Sequence, residues 1–320
     1  MTFPFIAKPA ELEEKIREWK RAAGGKLQVD SLTSFSGHEV YALTLTDPNV
    51  PVVGKRRHYF AQPHAHEPGT TAGMADVIEQ LVTGHDLRGQ PTTLDVEKVL
   101  ATTVLTFNPI GNPQGREAAP VLYWNGVDYD NEQFWCWMRG EDPNYPGRMW
   151  GRFDVWDDRE VEAPDPVGIV YEQIDEHRYV EPNRSHLSTY FKLFFHMDSE
   201  FHYECWLSLH QTEFVRSEHN CMILLPLEGL AEDEVLEADW SWGVAIVDAW
   251  RAAGFRPVPS PRHLGYTGDQ ARYFRENWGD LHKRMNIITT EVKNNARDAT
   301  PEFQMDTQVV AIQASIERLL

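Results

Sequence analysis

Short apolar runs that favour β-strands alternate along this chain with longer stretches of helical periodicity, and this alternation restricts the possible folds strongly. Strands are predicted at residues 39–45, 58–61, 102–107, 205–209, 222–227 and 286–292. Helices are predicted at residues 12–23, 74–81, 187–197, 235–253 and 309–319. Strands that alternate with helices favour a sheet covered on both faces by helices. We therefore expect an α/β fold with a twisted, mixed and mostly parallel β-sheet.

The length and composition suit such a fold. The chain has 320 residues, of which 42% are hydrophobic, and this suits one large domain or two small ones. We expect a single domain spanning residues 1–320. Residues 108–185 are rich in Gly, Pro, Asp and Trp and show little periodicity. This predicts a long irregular loop region, which inside a compact domain usually serves function.

The charge balance excludes several classes of partner. Lys and Arg total 30 against 49 Asp and Glu, so the formal net charge is -19. An acidic surface of this kind argues against nucleic acid and anionic membranes as partners.

The chain shows no signal-peptide pattern and no run of about 18 apolar residues, so we expect a soluble, cytoplasmic protein. Three cysteines are too few for a disulfide framework. Nothing in the sequence predicts the oligomeric state.

A histidine and a glutamate follow the second predicted strand. His64 and Glu67 are three residues apart in Pro63-His64-Ala65-His66-Glu67, so on one helical turn their side chains point the same way. An imidazole and a carboxylate placed in this way can share a divalent cation, and zinc accepts both ligand types. The same spacing also occurs in hydrogen-bonded turns without a metal, so the motif needs support from other elements.

Three further polar residues lie at or near the ends of other predicted strands: Asn108, His210 and Glu291. In α/β sheets, binding sites form where strands end and loops begin, so we expect these residues to share a crevice with His64. A catalytic zinc ion typically has three protein ligands, and His210 qualifies as the third. Other histidines compete for this role, namely His58, His66, His196, His202 and His219.

The order of these motifs resembles the carboxypeptidase A-like zinc metallopeptidase family. His64-Ala65-His66-Glu67 is similar to the family's His-Ala-Arg-Glu, Asn108-Pro109-Ile110-Gly111 to its Asn-Pro-x-Gly, and Gly126-Val127-Asp128 to its Gly-Val-Asp. Leu207-Ser208-Leu209-His210 resembles the strand that carries the third ligand, and Ile288-Thr289-Thr290-Glu291 the last strand with its catalytic glutamate. The resemblance covers residues 35 to 295 and implies the zinc carboxypeptidase-like fold.

The resemblance implies a role for each residue of the crevice. His64, Glu67 and His210 would bind one zinc ion per chain, and the metal would lower the pKa of water toward about 7. Glu291 would act as general base and then as general acid.

Three further roles are implied outside this quartet. Asp128 would hold the second nitrogen of His64, and Arg116 would stabilise the oxyanion. Tyr266 would close over the substrate. A solvated loop arginine and a packed loop tyrosine are the alternatives for Arg116 and Tyr266.

One part of the family pattern differs. Exopeptidases of this family hold the substrate's C-terminal carboxylate with an Asn-Arg pair just after Val-Asp, which we call the carboxylate clamp. The corresponding residues here are Asp130 and Asn131, and His66 replaces an arginine. Because Asp cannot bind a carboxylate as Arg does, we expect the clamp to be missing and the specificity to be atypical. Another arginine could replace it from the irregular region, namely Arg139, Arg148, Arg152 or Arg184. Alternatively, the substrate lacks a free carboxylate there or carries an amine that Asp130 and Glu132 would attract.

The expected function is zinc-dependent hydrolysis of a peptide or amide bond in a small peptide or an acylated amino acid. Two alternatives remain open. One is an N-acyl amino acid deacylase that resembles the aspartoacylase and succinylglutamate desuccinylase branch of the same fold. The other is a catalytically silent binding protein, although the presence of His64, Glu67, His210 and Glu291 together counts against it.

Overall fold

The computed structural model of the protein describes residues 3–320, and these residues form a mixed eight-stranded sheet with helices on both sides. The helices are α1 (Pro9–Ala22), α2 (Pro68–Thr83), α3 (Val96–Thr102), α4 (Pro113–Ala118), α5 (Asn131–Arg139), α6 (Thr189–Phe201), α7 (Asp233–Ala252), α8 (Gly268–His282) and α9 (Pro301–Glu317). The strands are β1 (Leu27–Thr33), β2 (Glu39–Leu45), β3 (Arg56–Ala61), β4 (Thr103–Asn108), β5 (Trp156–Asp157), β6 (Glu172–Gln173), β7 (Arg178–Val180), β8 (Cys205–Thr212), β9 (Cys221–Leu225), β10 (Arg262–His263) and β11 (Asn286–Lys293).

The strand order of the large sheet is β1-β2-β4-β3-β8-β11-β9-β10. The pairs β3–β4, β3–β8, β8–β11 and β9–β10 are parallel, and the pairs β1–β2, β2–β4 and β9–β11 are antiparallel. The predicted α/β fold with a mixed, mostly parallel sheet is therefore confirmed. The six predicted strands all belong to this sheet, and β1 and β10 complete it.

Alternate residues of the central strands enter two different apolar clusters. Phe60 and Leu207 belong to the cluster that α1, α2, α7 and α9 cover. Tyr59 and Trp206 belong to the cluster that α6 and α8 cover. Because successive side chains of a strand point to opposite faces, the sheet is buried on both sides, as parallel strands require. Within residues 3–320, no helix combines the length and the apolar character needed to span a membrane.

The predicted irregular region contains more secondary structure than its composition indicated. Helices α4 and α5 lie in it, followed by a small antiparallel sheet in the order β5-β7-β6. A 3₁₀ turn at Pro182–Arg184 follows β7 directly and leads toward α6. Of these short elements, α5 and the 3₁₀ turn supply residues to one side of the cavity described below.

Strand register places the predicted site residues. In the parallel pair β8–β11, His210 lies opposite Glu291. In the parallel pair β3–β8, Ala61 lies opposite Ser208, two residues before His210. The carboxyl ends of three neighbouring strands therefore meet, and the loop between Ala61 and helix α2 continues from that edge.

Candidate metal centre and substrate pocket

His64, Glu67 and His210, which we call the His–Glu cluster, bring three ligand groups together at this edge. The Nδ1 atom of His64 lies 2.9 Å from Oε1 of Glu67. The Nδ1 atom of His210 lies 3.1 Å from Nδ1 of His64 and 3.2 Å from Oε2 of Glu67. All three residues are buried. The loop after β3 supplies His64, the residue before α2 supplies Glu67, and β8 supplies His210.

The donor set fits a zinc ion. Ligand bonds of about 2.0–2.2 Å around a tetrahedral ion place neighbouring donor atoms close to such separations. Within residues 3–320, Oε2 of Glu67 is buried and accepts no hydrogen bond, although Nδ1 of His210 is near. A buried carboxylate oxygen without a donor is costly, and a cation held between Glu67 and the two imidazoles would satisfy it.

His66 is a second candidate for the third ligand. Its Nε2 atom lies 3.5 Å from Oε1 of Glu67, and ligand atoms of His64, His66 and Glu67 lie within 4.8 Å of one another. The set with His210 is tighter, because its neighbouring donor atoms are 2.9 to 3.2 Å apart. We therefore favour His210, and His66 lines the adjoining cavity.

The electrostatics of the cluster place one positive charge on His64. Burial opposes that charge, but Glu67 and Glu181 outweigh burial and raise the pKa of His64 to about 10. Burial opposes ionisation of Glu67 as well, yet His64 and His210 hold the pKa of Glu67 below its ordinary value. Burial lowers the pKa of His210. A divalent cation bound here would therefore displace the proton of His64, because a metal requires neutral imidazole.

The second ring nitrogen of His64 is held by Glu181 and not by Asp128. The Nε2 atom of His64 lies 3.1 Å from Oε1 of Glu181 and 3.2 Å from Oδ1 of Asn183. Asp128 is exposed and accepts a hydrogen bond of 2.8 Å from Asn125. The predicted role of Asp128 is wrong because its loop stays at the surface, whereas the chain after β7 carries Glu181 to the cluster.

Arg116 also differs from its predicted role. It is buried, and its guanidinium donates to the carbonyl oxygens of His64, Ala65 and Ala7 and to Oγ1 of Thr71, over distances of 2.6 to 3.3 Å. It does not line the cavity next to the His–Glu cluster. Arg116 therefore holds the backbone of the loop that carries His64, which we call the ligand loop, and does not face the cavity.

Asp130 and Asn131 lie outside the cavity as well. Asp130 caps helix α5 by accepting a hydrogen bond of 2.9 Å from the backbone of Gln133. The Oδ1 atom of Asn131 accepts a hydrogen bond of 2.7 Å from Asn295. Neither residue lines the cavity. The two residues that correspond in sequence to the carboxylate clamp are therefore at the N-terminus of α5, outside the cavity.

A cavity of about 210 Å³ adjoins the His–Glu cluster and contains two arginines. The Nη2 atom of Arg139 lies 2.9 Å from Oε2 of Glu181, and Nε of Arg184 lies 3.7 Å from Oε1 of the same carboxylate. Asn183 and Tyr266 line the cavity beside them, and Arg184 donates to the hydroxyl of Tyr266 over 3.2 Å. Of the four arginines that the sequence offers as replacements for the clamp, Arg139 and Arg184 therefore line this cavity, and Arg148 and Arg152 do not.

The sequence contained a signal for this side of the cavity. Val180-Glu181-Pro182-Asn183-Arg184 has the form Val-carboxylate-x-Asn-Arg, which is the pattern of the carboxylate clamp with Glu in place of Asp. The segment Gly126-Val127-Asp128 competes with this motif because it carries the aspartate of the family pattern. The structure shows that the segment ending in Arg184 faces the cavity.

Glu291 lines the cavity next to His210, its partner in the strand register. Its Oε2 atom is buried and has no hydrogen-bond partner among residues 3–320. Burial, and then the negative charge of Glu67, raise the pKa of Glu291 well above its ordinary value. The carboxyl group is therefore free to exchange a proton with a molecule in the cavity.

Comparison with known proteins identifies the fold by structure alone. No family model matches the sequence, and no curated protein matches it. Carboxypeptidase A from Helicoverpa armigera has a TM-score of 0.60 at 13% identity, over 98% of this chain and 74% of that one.

Two bacterial enzymes are also similar. Metallo-carboxypeptidase from Pseudomonas aeruginosa, in complex with (2-guanidinoethylmercapto)succinic acid, has a TM-score of 0.58 at 12% identity, over 97% of this chain and 69% of that one. Metallo-carboxypeptidase from Burkholderia cenocepacia has a TM-score of 0.56 at 12% identity, over 97% and 70%. The protein therefore has the zinc carboxypeptidase-like fold that its sequence motifs indicated.

Proposed function

We propose that the protein is a zinc-dependent hydrolase that cleaves the peptide or amide bond next to a free terminal carboxylate. The observation that carries this proposal is that Arg184 and Asn183 line the same cavity as the His–Glu cluster and Glu291. A candidate metal site, a proton acceptor and an anion-binding pair are thus within reach of one small substrate. The fold of the similar carboxypeptidases supports the same reaction class.

His64, Glu67 and His210 are the residues that would hold the ion. When bound, zinc supplies Lewis-acid chemistry and makes water acidic near neutral pH. Glu181 orients His64 through its contact with Nε2, which leaves Nδ1 available to bind an ion. Such outer partners typically contribute to metal affinity because they fix the tautomer and orientation of the ligand.

Glu291 is the proposed proton carrier. It would take a proton from the attacking water and later deliver it to the leaving amine, which is general base and then general acid catalysis. Its partnerless Oε2 atom supports this role, because no hydrogen bond within residues 3–320 has to break before that oxygen receives a proton. A positive ion beside Glu67 would also counteract the negative charge that raises the pKa of Glu291.

Arg184 and Asn183 are the proposed carboxylate clamp. The guanidinium of Arg184 is positioned by the hydroxyl of Tyr266 at 3.2 Å and by the Tyr266 ring, whose centre lies 4.7 Å away. A guanidinium held in this way can donate two parallel hydrogen bonds to a carboxylate. Arg139 supplies a second positive charge near the cluster, which can stabilise negative charge developing on the scissile carbonyl.

The test compares substrates that differ only in the terminal group. Zinc-loaded protein is assayed with an N-acylated dipeptide, with the same dipeptide carrying a C-terminal amide, and with an N-acyl amino acid. We expect the free acid to be cleaved with a kcat/KM about 10- to 150-fold higher than the amide, since a charged hydrogen-bond pair contributes about 1.5–3 kcal/mol. Arg184→Met should remove this difference, and Arg148→Met, which changes an exposed arginine, should preserve it.

Each result separates the alternatives. Equal cleavage of acid and amide would reject the clamp. Cleavage of the N-acyl amino acid without cleavage of the dipeptide would favour a deacylase. If the zinc-loaded protein cleaves none of the three compounds, the proposed hydrolase function is wrong and the silent binding protein is favoured.

A further inference from the structure

Helix α8 contributes an uncharged side of the cavity with one imidazole in it. Phe274, Trp278 and His282 are spaced four residues apart, so they lie on one face of the helix, and all three line the cavity. Leucine and isoleucine side chains complete this region, which we call the α8 lobe: Leu224, Leu225, Leu264 and Ile287. The charged residues that line the cavity are those around His64, namely Glu67, Arg139, Glu181, Arg184 and Glu291.

His282 has no hydrogen-bond partner in the part of the chain that the structure describes. It is 1% exposed, and both Nδ1 and Nε2 are buried and unpaired within residues 3–320. Its ring centre lies 5.8 Å from that of Phe274 and 6.3 Å from that of Trp278. Burial lowers the pKa of His282 to about 3, so at neutral pH the ring offers one donor and one acceptor.

Unpaired buried polar atoms are uncommon in folded proteins and costly, because they lose their hydrogen bonds to water without replacement. His282 therefore calls for a specific explanation, and its position on the cavity surface points to a ligand group that satisfies it.

The α8 lobe is connected to the carboxylate clamp. The indole Nε1 of Trp278 donates to the carbonyl oxygen of Asn183 over 2.8 Å. Thr289 and Ile287 precede Glu291 on the same face of β11 and line the same cavity. A residue whose carboxylate lies at Arg184 and whose amide nitrogen lies near Glu291 therefore has the α8 lobe available for its side chain.

We propose that His282 is a specificity-determining residue of the α8 lobe. It selects substrates whose terminal side chain is an aromatic ring with a neutral hydrogen-bonding group at its far end. Among the protein amino acids, tyrosine has such a side chain. This inference rests on the proposed function. The aromatic and aliphatic residues of the α8 lobe would contact the ring, and the phenolic hydroxyl would donate to or accept from the imidazole. A charged side chain would lose hydration there without gaining an opposite charge, and phenylalanine would leave His282 unpaired.

The test measures hydrolysis of N-acylated dipeptides ending in Tyr, Phe, Arg or Glu by the zinc-loaded full chain. We expect kcat/KM for Tyr to exceed that for Phe by about tenfold, because Tyr gains a hydrogen bond and Phe leaves the buried imidazole unpaired. In His282→Phe the Tyr to Phe ratio should fall to near one. His282→Gln keeps a donor and an acceptor and should retain a preference for Tyr.

His58→Phe is the matched control for loss of a buried imidazole. His58 is also 1% exposed with both ring nitrogens unpaired within residues 3–320, but it stacks on Phe60 at 4.0 Å and does not line the cavity. Because each substitution removes a buried imidazole without a partner, His58→Phe should change thermal stability in the same direction as His282→Phe and should preserve the Tyr to Phe ratio. A ratio that is equal in the parent protein and in His282→Phe would overturn the proposal.

A binding measurement separates this proposal from the hydrolase proposal. The same four peptides are titrated into zinc-loaded Glu291→Gln protein, and tryptophan fluorescence is followed because Trp278 lines the cavity. Tighter binding of the Tyr peptide that His282→Phe abolishes, without hydrolysis by the parent protein, would retain the specificity and reject the hydrolase. Hydrolysis without any Tyr preference in rate or binding would reject the specificity alone. Neither hydrolysis nor selective binding would reject both.

Discussion

Glu181 contacts the ring nitrogen of His64 that faces away from Glu67 and His210, with Oε1 of the carboxylate 3.1 Å from Nε2 of the imidazole. The other carboxylate oxygen lies 2.9 Å from Nη2 of Arg139. One carboxylate therefore orients a candidate metal ligand and a cavity cation at once. Because Glu181 is buried, these two contacts are shielded from solvent.

Replacing Glu181 should weaken the metal site. Glu181→Gln removes the negative charge that supports His64, and we expect zinc affinity to fall about 10- to 100-fold. Asp128→Asn is the control, since Asp128 is exposed and bonded to Asn125. Competition with a chromophoric chelator would measure both dissociation constants. Equal affinities in the two variants would show that Glu181 does not support the ligand.

The identity of the third ligand can be decided by zinc content. We expect the parent protein to carry about one zinc ion per chain, in line with a site of three protein ligands. His210→Ala should lose the metal during dialysis, because Nδ1 of His210 is within 3.2 Å of both other ligand groups. His66→Ala should keep it. Metal analysis that gives the reverse result would assign the third position to His66.

Glu291→Gln should separate metal binding from turnover. The amide cannot take a proton from water, so we expect kcat to fall by a factor of about 10²–10⁴. Zinc content should stay at the parent level because Glu291 is outside the His–Glu cluster. Single-turnover kinetics on the free-acid dipeptide would measure the loss, and undiminished turnover would show that another group acts as the base.

Removing Arg116 should destabilise the ligand loop. Arg116→Met leaves the carbonyl oxygens of Ala7 and Ala65 without the donor they have now, and we expect the free energy of unfolding to fall by about 2–4 kcal/mol. Urea unfolding would measure this change against Arg148→Met, which alters an exposed arginine. If Arg116→Met unfolds at the same urea concentration as the control, the loop does not depend on Arg116.

Asp239 should make stability depend on pH. It is 0% exposed, and burial raises its pKa from 3.8 to about 7. Between these values the folded state holds more protons than the unfolded state, so stability falls as pH rises, and the full loss is present above the folded pKa.

Asp239→Asn removes this titration and keeps the acceptor that bonds Asn286 at 3.0 Å. The stabilisation it gives should be greater at pH 8 than at pH 5 by about 2 kcal/mol. Asp248→Asn changes an exposed aspartate of the same helix and serves as the control. Thermal unfolding at the two pH values would test this, and an equal effect of Asp239→Asn at both would contradict it.

Much of the fold was predictable because its central strands are strongly apolar. Residues 39–45 were predicted as a strand and form β2 with the same bounds. Strand β1 was missed because Leu27–Thr33 mixes polar and apolar residues, and it lies at the edge of the sheet with much of its surface exposed. Helix α5 was missed because Asn131–Arg139 is short and packs in a separate aromatic cluster.

The candidate site was predictable where it depends on strand ends. His64, Glu67, His210 and Glu291 come together because three parallel strands end at one edge. Glu181 and Arg184 follow a strand of only three residues, Arg178–Val180, in a region without periodicity. The motif Val180–Arg184 carries a local signal, but its position beside the His–Glu cluster depends on contacts with α8, which lies far along the chain.

The pairing of His210 with Glu291 across two parallel strands means that substitutions in the strands and substitutions around the cavity have different consequences. A slip of one residue between β8 and β11 would turn one of these side chains to the opposite face. Their relative position is therefore fixed as long as the strand register is kept. The α8 lobe and the turn that carries Arg184 belong to other elements. Substitutions there can alter which molecule is held while the strands that carry His210 and Glu291 keep their alignment.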